Sequence, residues 1–157
     1  VKASSQAVSD LGILMLLAYQ GFVRQLHASM AEKGYDDLGR SDGVVMRLLV
    51  QHPRKVSELA PLLEMSPQGA AQIVDDMEQR GYVVRRPDAA DARARRVELT
   101  ERGRGAIDAA RAFHRSFETG LARRHGRAQI DAFRAVLESI AGAAPDGLDR
   151  ELRALYL

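Results

Sequence analysis

The chain contains no cysteine and no tryptophan, and only 5% of its residues are aromatic. Without cysteine, disulfides, thiolate metal sites, cysteine nucleophiles and cysteine redox sensing are all excluded. Lysine is scarce as well, three of 23 basic residues, so the positive charge is almost entirely arginine. Long apolar runs are also missing. The longest, Leu11 to Ala18, is far shorter than the roughly 20 residues needed to span a bilayer. No basic stretch with a cleavage site precedes it, so a cytoplasmic location and no membrane partner are expected. There is no glycine-rich phosphate loop and no grouping of histidine with acids at catalytic spacing, so the chain does not read as an enzyme. His27, His52, His114 and His125 are scattered, none beside a second ligand on one helix face; neither a metal nor another cofactor is expected.

What the chain does have is length for one packed folding unit, 157 residues with 46% hydrophobic content. The formal charge of +2 says little about partners. Its distribution says more. Residues 85–104, RRPDAADARARRVELTERGR, gather Arg85, Arg86, Arg93, Arg95, Arg96, Arg102 and Arg104 around two apolar positions, Val97 and Leu99. Asp88, Asp91, Glu98 and Glu101 offset part of that charge. Asp91, two residues before Arg93, is placed to hold the arginine in one pose, as insertion into a narrow minor groove requires.

Apolar residues at steps of three and four from Asp10 to Lys33 predict a long first helix ending at Gly34. A second begins near Ser41, turns Val44, Val45, Leu48 and Leu49 inward and stops at His52 and Pro53. Val56 to Leu63 reads as a brief helix in which Pro61 is awkward, falling at the fourth helical position if Ser57 is the cap. After a turn at Glu64 and Met65, Ser66 is a good N-cap and Pro67 a good first helical residue. The helix SPQGAAQIVDDMEQR then buries Ala70, Ile73, Val74 and Met77 and ends at Gly81. Tyr82 to Arg86 and Ala94 to Leu99 read as strands of a ribbon, and Thr100 as the cap of a helix from Glu101 to about Arg124. A further helix, Ala128 to Ala141, buries Ile130, Phe133, Val136, Leu137 and Ile140, and a last short one uses Leu148, Leu152 and Leu155. The fold class is thus mainly α with a small β-ribbon, a winged helix-turn-helix flanked by terminal helices. The expected domains are an N-terminal helix over 1–40, a winged DNA-binding domain over 41–104 and C-terminal helices over 105–157. The outer two are expected to dimerise because their apolar seams exceed what one small winged domain can cover.

In such a motif the second helix enters the major groove. Its first residues here are Ser66, Pro67, Gln68, Gly69 and Gln72. Glutamine can bond adenine bidentately, so Gln68 and Gln72 are the candidates for reading sequence, with Gly69 permitting close backbone approach. Asp75, Asp76 and Glu78 on the same helix would repel phosphate unless they face away or pair with arginines such as Arg80. The wing residues Arg85, Arg86, Asp91, Arg93 and Arg95 are then the expected source of backbone affinity. Two plainer readings stand beside this: a solvated arginine-rich face, or a winged helix turned to binding protein rather than specific DNA.

Residues 56–104, with SELA, MSPQGAAQIVDDMEQRGYVVRR and PDAADARARRVELTERG, resemble the multiple antibiotic resistance regulator (MarR) family of bacterial transcription factors. Asp91, Arg93, Val97, Leu99, Thr100 and Gly103 meet the family's wing pattern. Two departures stand in the recognition helix, Ala71 and Gln72 where a hydroxyl and then a basic residue are frequent, and Asp76 where a basic one is common. The resemblance implies a homodimer on double-stranded DNA, reading a palindromic promoter operator, with Arg93 in the minor groove. It implies regulation, as a repressor, relieved by a small aromatic or phenolic effector in a cleft that Phe22, His27 and Met46 would line.

Overall fold

Most of the expected periodicity becomes helix. The protein is described by a computed structural model over residues 10–88 and 93–142, so Asp91 and the expected helix at Leu148, Leu152 and Leu155 lie outside the described residues. In chain order the elements are α1 (Leu11–Ala31), α2 (Asp42–Gln51), α3 (Val56–Leu62), α4 (Pro67–Gln79), β1 (Val83–Pro87), β2 (Arg95–Leu99), α5 (Glu101–His125) and α6 (Arg127–Ala141). The chain divides after Asp36 into two compact units.

The first unit is α1. Asp10 caps it by accepting the Gly12 N–H at 2.8 Å. It closes at Gly34, whose φ of 81° is cheap only for glycine. Its N-terminal half is apolar yet exposed, at Leu11, Ile13, Leu14, Leu16 and Leu17.

In the second unit α3 packs on α4, α2 on α5 and β2, and α4 on β1. Val45, Leu59, Leu63, Val74, Met77, Tyr82, Val83 and Val97 are its largest fully enclosed side chains. The expected cap of α3 is corrected. Lys55, not Ser57, is the N-cap residue, because the Glu58 carboxylate turns back to accept the Lys55 N–H at 2.8 Å. That start puts Pro61 in the second turn of the seven-residue helix. The turn from α3 to α4 is closed by Glu64 at φ 50° and by Met65 N–H donating to the Ala60 carbonyl at 3.1 Å. Gly81 and Tyr82 close the far end of α4 the same way, with Tyr82 N–H on the Met77 carbonyl at 2.9 Å.

β1 and β2 pair antiparallel, Val83 opposite Leu99 and Pro87 opposite Arg95. Each strand thus begins one residue later than the alternation suggests. A third short edge is added by Arg54, which exchanges both backbone hydrogen bonds with Val97 at 3.1 and 2.7 Å. Thr100 caps α5 as expected, its Oγ1 accepting the Gly103 N–H at 3.1 Å and donating to the Gly81 carbonyl at 2.6 Å.

The other correction concerns α6. Phe133, Val136, Leu137 and Ile140 are exposed rather than buried, Phe133 at 53% and Ile140 at 55%. Ile73 of α4 is only half-buried. Among the described residues no helix is long and apolar enough to cross a membrane.

Candidate nucleic-acid interface

The start of α4 carries its polar residues outward. Ser66, Pro67, Gln68 and Gln72 are exposed. Gln68 and Gln72, four residues apart, share one helix face. Among the described residues neither amide is engaged by another side chain or by backbone. Ser66 is the N-cap, accepting the Gly69 N–H at 3.1 Å. A Cβ on Gly69 would stand 3.3 Å from that hydroxyl oxygen, so glycine here gives the cap room. The cap accounts for Ser66 and Gly69 and leaves the two glutamines as the uncommitted groups.

The acids of α4 are all neutralised from within. Asp76 meets Arg80 at 2.6 Å. Asp75 and Glu78 share Arg85, at 2.6 and 2.5 Å, and Glu78 also accepts the Arg85 backbone N–H at 2.8 Å. Arg85, named above as a wing contact to phosphate, is therefore spent on the recognition helix. Burial would push its guanidinium down, but the two carboxylates outweigh this and hold its pKa above the usual arginine value.

On the ribbon's other face Arg86 and Arg96 stand opposite each other, a like-charge pair that is unfavourable alone. Each has an acid to offset it. Arg86 pairs with Glu98. Arg96 pairs with Asp88 at 2.8 Å, which keeps the guanidinium protonated beyond its ordinary range. Asp88 is nearly enclosed and also meets Lys55 Nζ at 3.4 Å, while Arg96 Nη1 donates to the Pro53 carbonyl at 2.9 Å. The wing root is thereby tied to the segment between α2 and α3. Arg93 and Arg95 are exposed at the wing end of β2. Arg95 meets no acid among the described residues.

Sequence reasoning missed Arg54, Asp37 and Asp42 and named Asp88 only as an acid offsetting charge. Asp42 is buried at the start of α2, and its carboxylate takes the Gly39 N–H at 2.7 Å and Arg80 Nη1 at 2.6 Å. Asp37 accepts from the Tyr82 hydroxyl and from Arg102 at 3.1 Å. Only Asp88 carried a signal, as one of the acids inside the arginine run. Of the residues implicated in effector binding, Phe22 is half-buried and His27 exposed on α1, whereas Met46 is enclosed in the second unit's core.

The profile of the MarR family matches residues 36–94. The HTH-type transcriptional regulator YpoP of Bacillus subtilis is 27% identical over 104 residues, which cover 66% of this chain and 71% of that protein. Among solved structures, the YusO protein of Bacillus subtilis superposes with a TM-score of 0.69 at 22% identity, over 91% of this chain and 100% of its own. The transcriptional repressor CouR, bound to a 23-mer DNA duplex, gives a TM-score of 0.63 at 24% identity over 90% of this chain and 99% of its own. Residues 36–94 thus match the MarR family, and the chain shares the fold of these solved structures.

Proposed function

We propose that the protein reads a palindromic promoter operator as a homodimer and represses transcription there, with Gln68 and Gln72 meeting base edges and Arg93 and Arg95 on the wing meeting the backbone and minor groove. One observation supports this reading: the N-terminal end of α4 offers two unengaged amides, while the acids behind them are each covered by an arginine of the same chain. Covered acids remove the repulsion that would otherwise keep phosphate away. A two-fold dimer requires half-sites about one helical turn, roughly 10 base pairs, or a multiple apart.

Selection from random duplex DNA with the full chain tests the idea. It is expected to return an inverted repeat, and Gln68→Ala or Gln72→Ala should relax the choice at one or two positions per half-site. Each replaced bidentate contact would lower discrimination by about 1–3 kcal/mol. Recovery of sequences with no common motif would refute sequence-specific reading.

Release by a small aromatic or phenolic effector belongs to the same proposal. Met46 is enclosed and acts as packing, so the proposal rests on Phe22 and His27 of α1. A panel of phenolic acids screened by thermal shift should raise Tm for at least one compound, and Phe22→Ala should abolish that rise. No rise for any compound would remove the effector from the proposal.

A further inference from the structure

The recognition helix is gripped at the end far from the bases. Arg80, the residue that closes α4, spreads its guanidinium over three oxygens: Asp42 Oδ2 at 2.6 Å, Asp76 Oδ2 at 2.6 Å and the Asp37 carbonyl. The Asp42 carboxylate is 3% exposed, so the pair is shielded from solvent and from salt. It is itself fixed by the Gly39 N–H at 2.7 Å, and a Cβ on Gly39 would press to 3.1 Å from its Oδ1. Beside this knot the Tyr82 ring lies 5.7 Å from the Arg80 cation and 4.7 Å from that of Arg102, whose Nη2 donates to the Tyr82 hydroxyl at 3.1 Å. Residues 37–42 therefore hold the C-terminal end of α4, the start of β1 and the first turn of α5 together.

From Gln68 to Arg80 the helix runs twelve residues, about 18 Å. Over that lever a tilt of about 5° moves the glutamine end by about 1.5 Å. The distance window of an N–H···O bond is about 0.5 Å, so a bidentate base contact would not survive such a tilt. We propose that Asp42, acting through Arg80, is a positioning residue for DNA reading, which makes the segment 37–42 a specificity element although it stands about 18 Å from the reading end. This rests on the proposal that α4 reads bases. The role assigned is not a phosphate contact: the Asp42 carboxylate would repel one, and both Arg80 Nη1 donors and one on Nη2 are already taken by protein oxygens.

The test compares the full-length protein on the duplex obtained by selection and on a scrambled duplex of equal length, by fluorescence anisotropy at several salt concentrations. Asp42→Asn keeps the shape and the acceptor for Gly39 but removes the charge. It should weaken binding to the selected duplex about tenfold, the scale of one bidentate base contact, and leave scrambled-duplex affinity and the salt slope unchanged. Arg80→Lys, a single point donor, should fall between the two. Equal losses on both duplexes with a shallower slope would make Arg80 a phosphate contact and overturn the inference, as would a folded Asp42→Asn protein with undiminished preference. If Asp42→Asn does not fold, Arg80→Lys and Gly39→Ala carry the test with the same criteria. A wild-type protein that shows no preference defeats the function proposal and this inference together, whereas preference retained in the variants defeats this inference alone.

Discussion

The Arg85 guanidinium, carried on β1, lies 2.6 Å from the Asp75 carboxylate of α4 and so ties the wing to the recognition helix. A residue that belongs to the arginine-rich segment by sequence is an internal neutraliser in the fold. Arg85→Ala should therefore weaken DNA binding indirectly, by uncovering Asp75 and Glu78 next to phosphate. Adding Asp75→Asn should restore much of the loss, because it removes the repulsion without replacing a contact. Titration of operator DNA with the single and double variants measures this; a double variant no better than Arg85→Ala would make Arg85 a direct contact after all.

Arg95 gives the opposite expectation. It is exposed at the end of β2 with no acid against it among the described residues. Arg95→Ala should leave Tm unchanged and lower the slope of log affinity against log salt by about one, the signature of a single lost phosphate contact. The same substitution at Arg86, whose charge Glu98 already offsets, should change the slope less.

Gly103 meets a more severe constraint. A Cβ there would stand 2.2 Å from the Tyr82 carbonyl oxygen and 3.1 Å from Leu99 Cδ2. Both neighbours are fixed: the Tyr82 oxygen accepts the Thr100 N–H at 3.1 Å, and Leu99 is core. Gly103→Ala should destabilise the protein by about 1–3 kcal/mol, the usual scale of overpacking, seen as a lowered Tm in thermal unfolding. Gly120→Ala, on the same helix, where a Cβ would meet nothing within 4 Å, is the control and should be neutral or mildly stabilising.

That glycine shows what could be read from the chain alone. Its place three residues after Thr100 was legible as part of a pattern, and the Ser66, Pro67 and Thr100 caps were legible because capping is local chemistry. Elements followed for the same reason, from periods of two and about 3.6 residues. The pairing of arginines was not legible. Arg85 and Arg95 look alike in sequence, and only the register, which sets Arg85 opposite Val97 and within reach of α4, separates them. Asp42 was hidden in the same way, since its partner is 38 residues distant. The apolar positions of α6 were read correctly as a stripe, but a stripe does not say whether its cover comes from the same chain.

The Tyr82 hydroxyl titrates far from its ordinary range. Burial, and then its bond to the Asp37 carboxylate, push its pKa up to about 12, with Arg102 opposing. Asp37 in turn is held below its usual value, chiefly by that hydroxyl and further by Arg102. Since the folded state keeps the tyrosine proton more tightly than the unfolded chain, this group's contribution is fully present below the unfolded pKa near 10. It is lost as pH rises toward about 12. Denaturant unfolding followed from pH 9 to 11.5 should show a decline that Tyr82→Phe flattens. An equal decline in both proteins would place the alkaline sensitivity elsewhere.

The exposed apolar faces of α1 and of α6 are the surfaces that the proposed homodimer would cover. Leu11 and Leu14 on α1, and Phe133, Val136 and Ile140 on α6, are exposed, and a two-fold dimer covers a like face on both partners. Ile140 is 55% exposed in the single chain, so Ile140→Asp should not disturb the fold of that chain. Light scattering after size exclusion should nevertheless shift from dimer to monomer, with the helical circular dichroism unchanged. Operator affinity should then fall by about 100-fold or more, because the second half-site is no longer held at high effective concentration. Binding to an isolated half-site should stay as it was, since α4 and the wing are untouched. A variant that remains dimeric would put the subunit contact on another surface, and one that is monomeric yet binds the full operator undiminished would separate dimerisation from DNA reading.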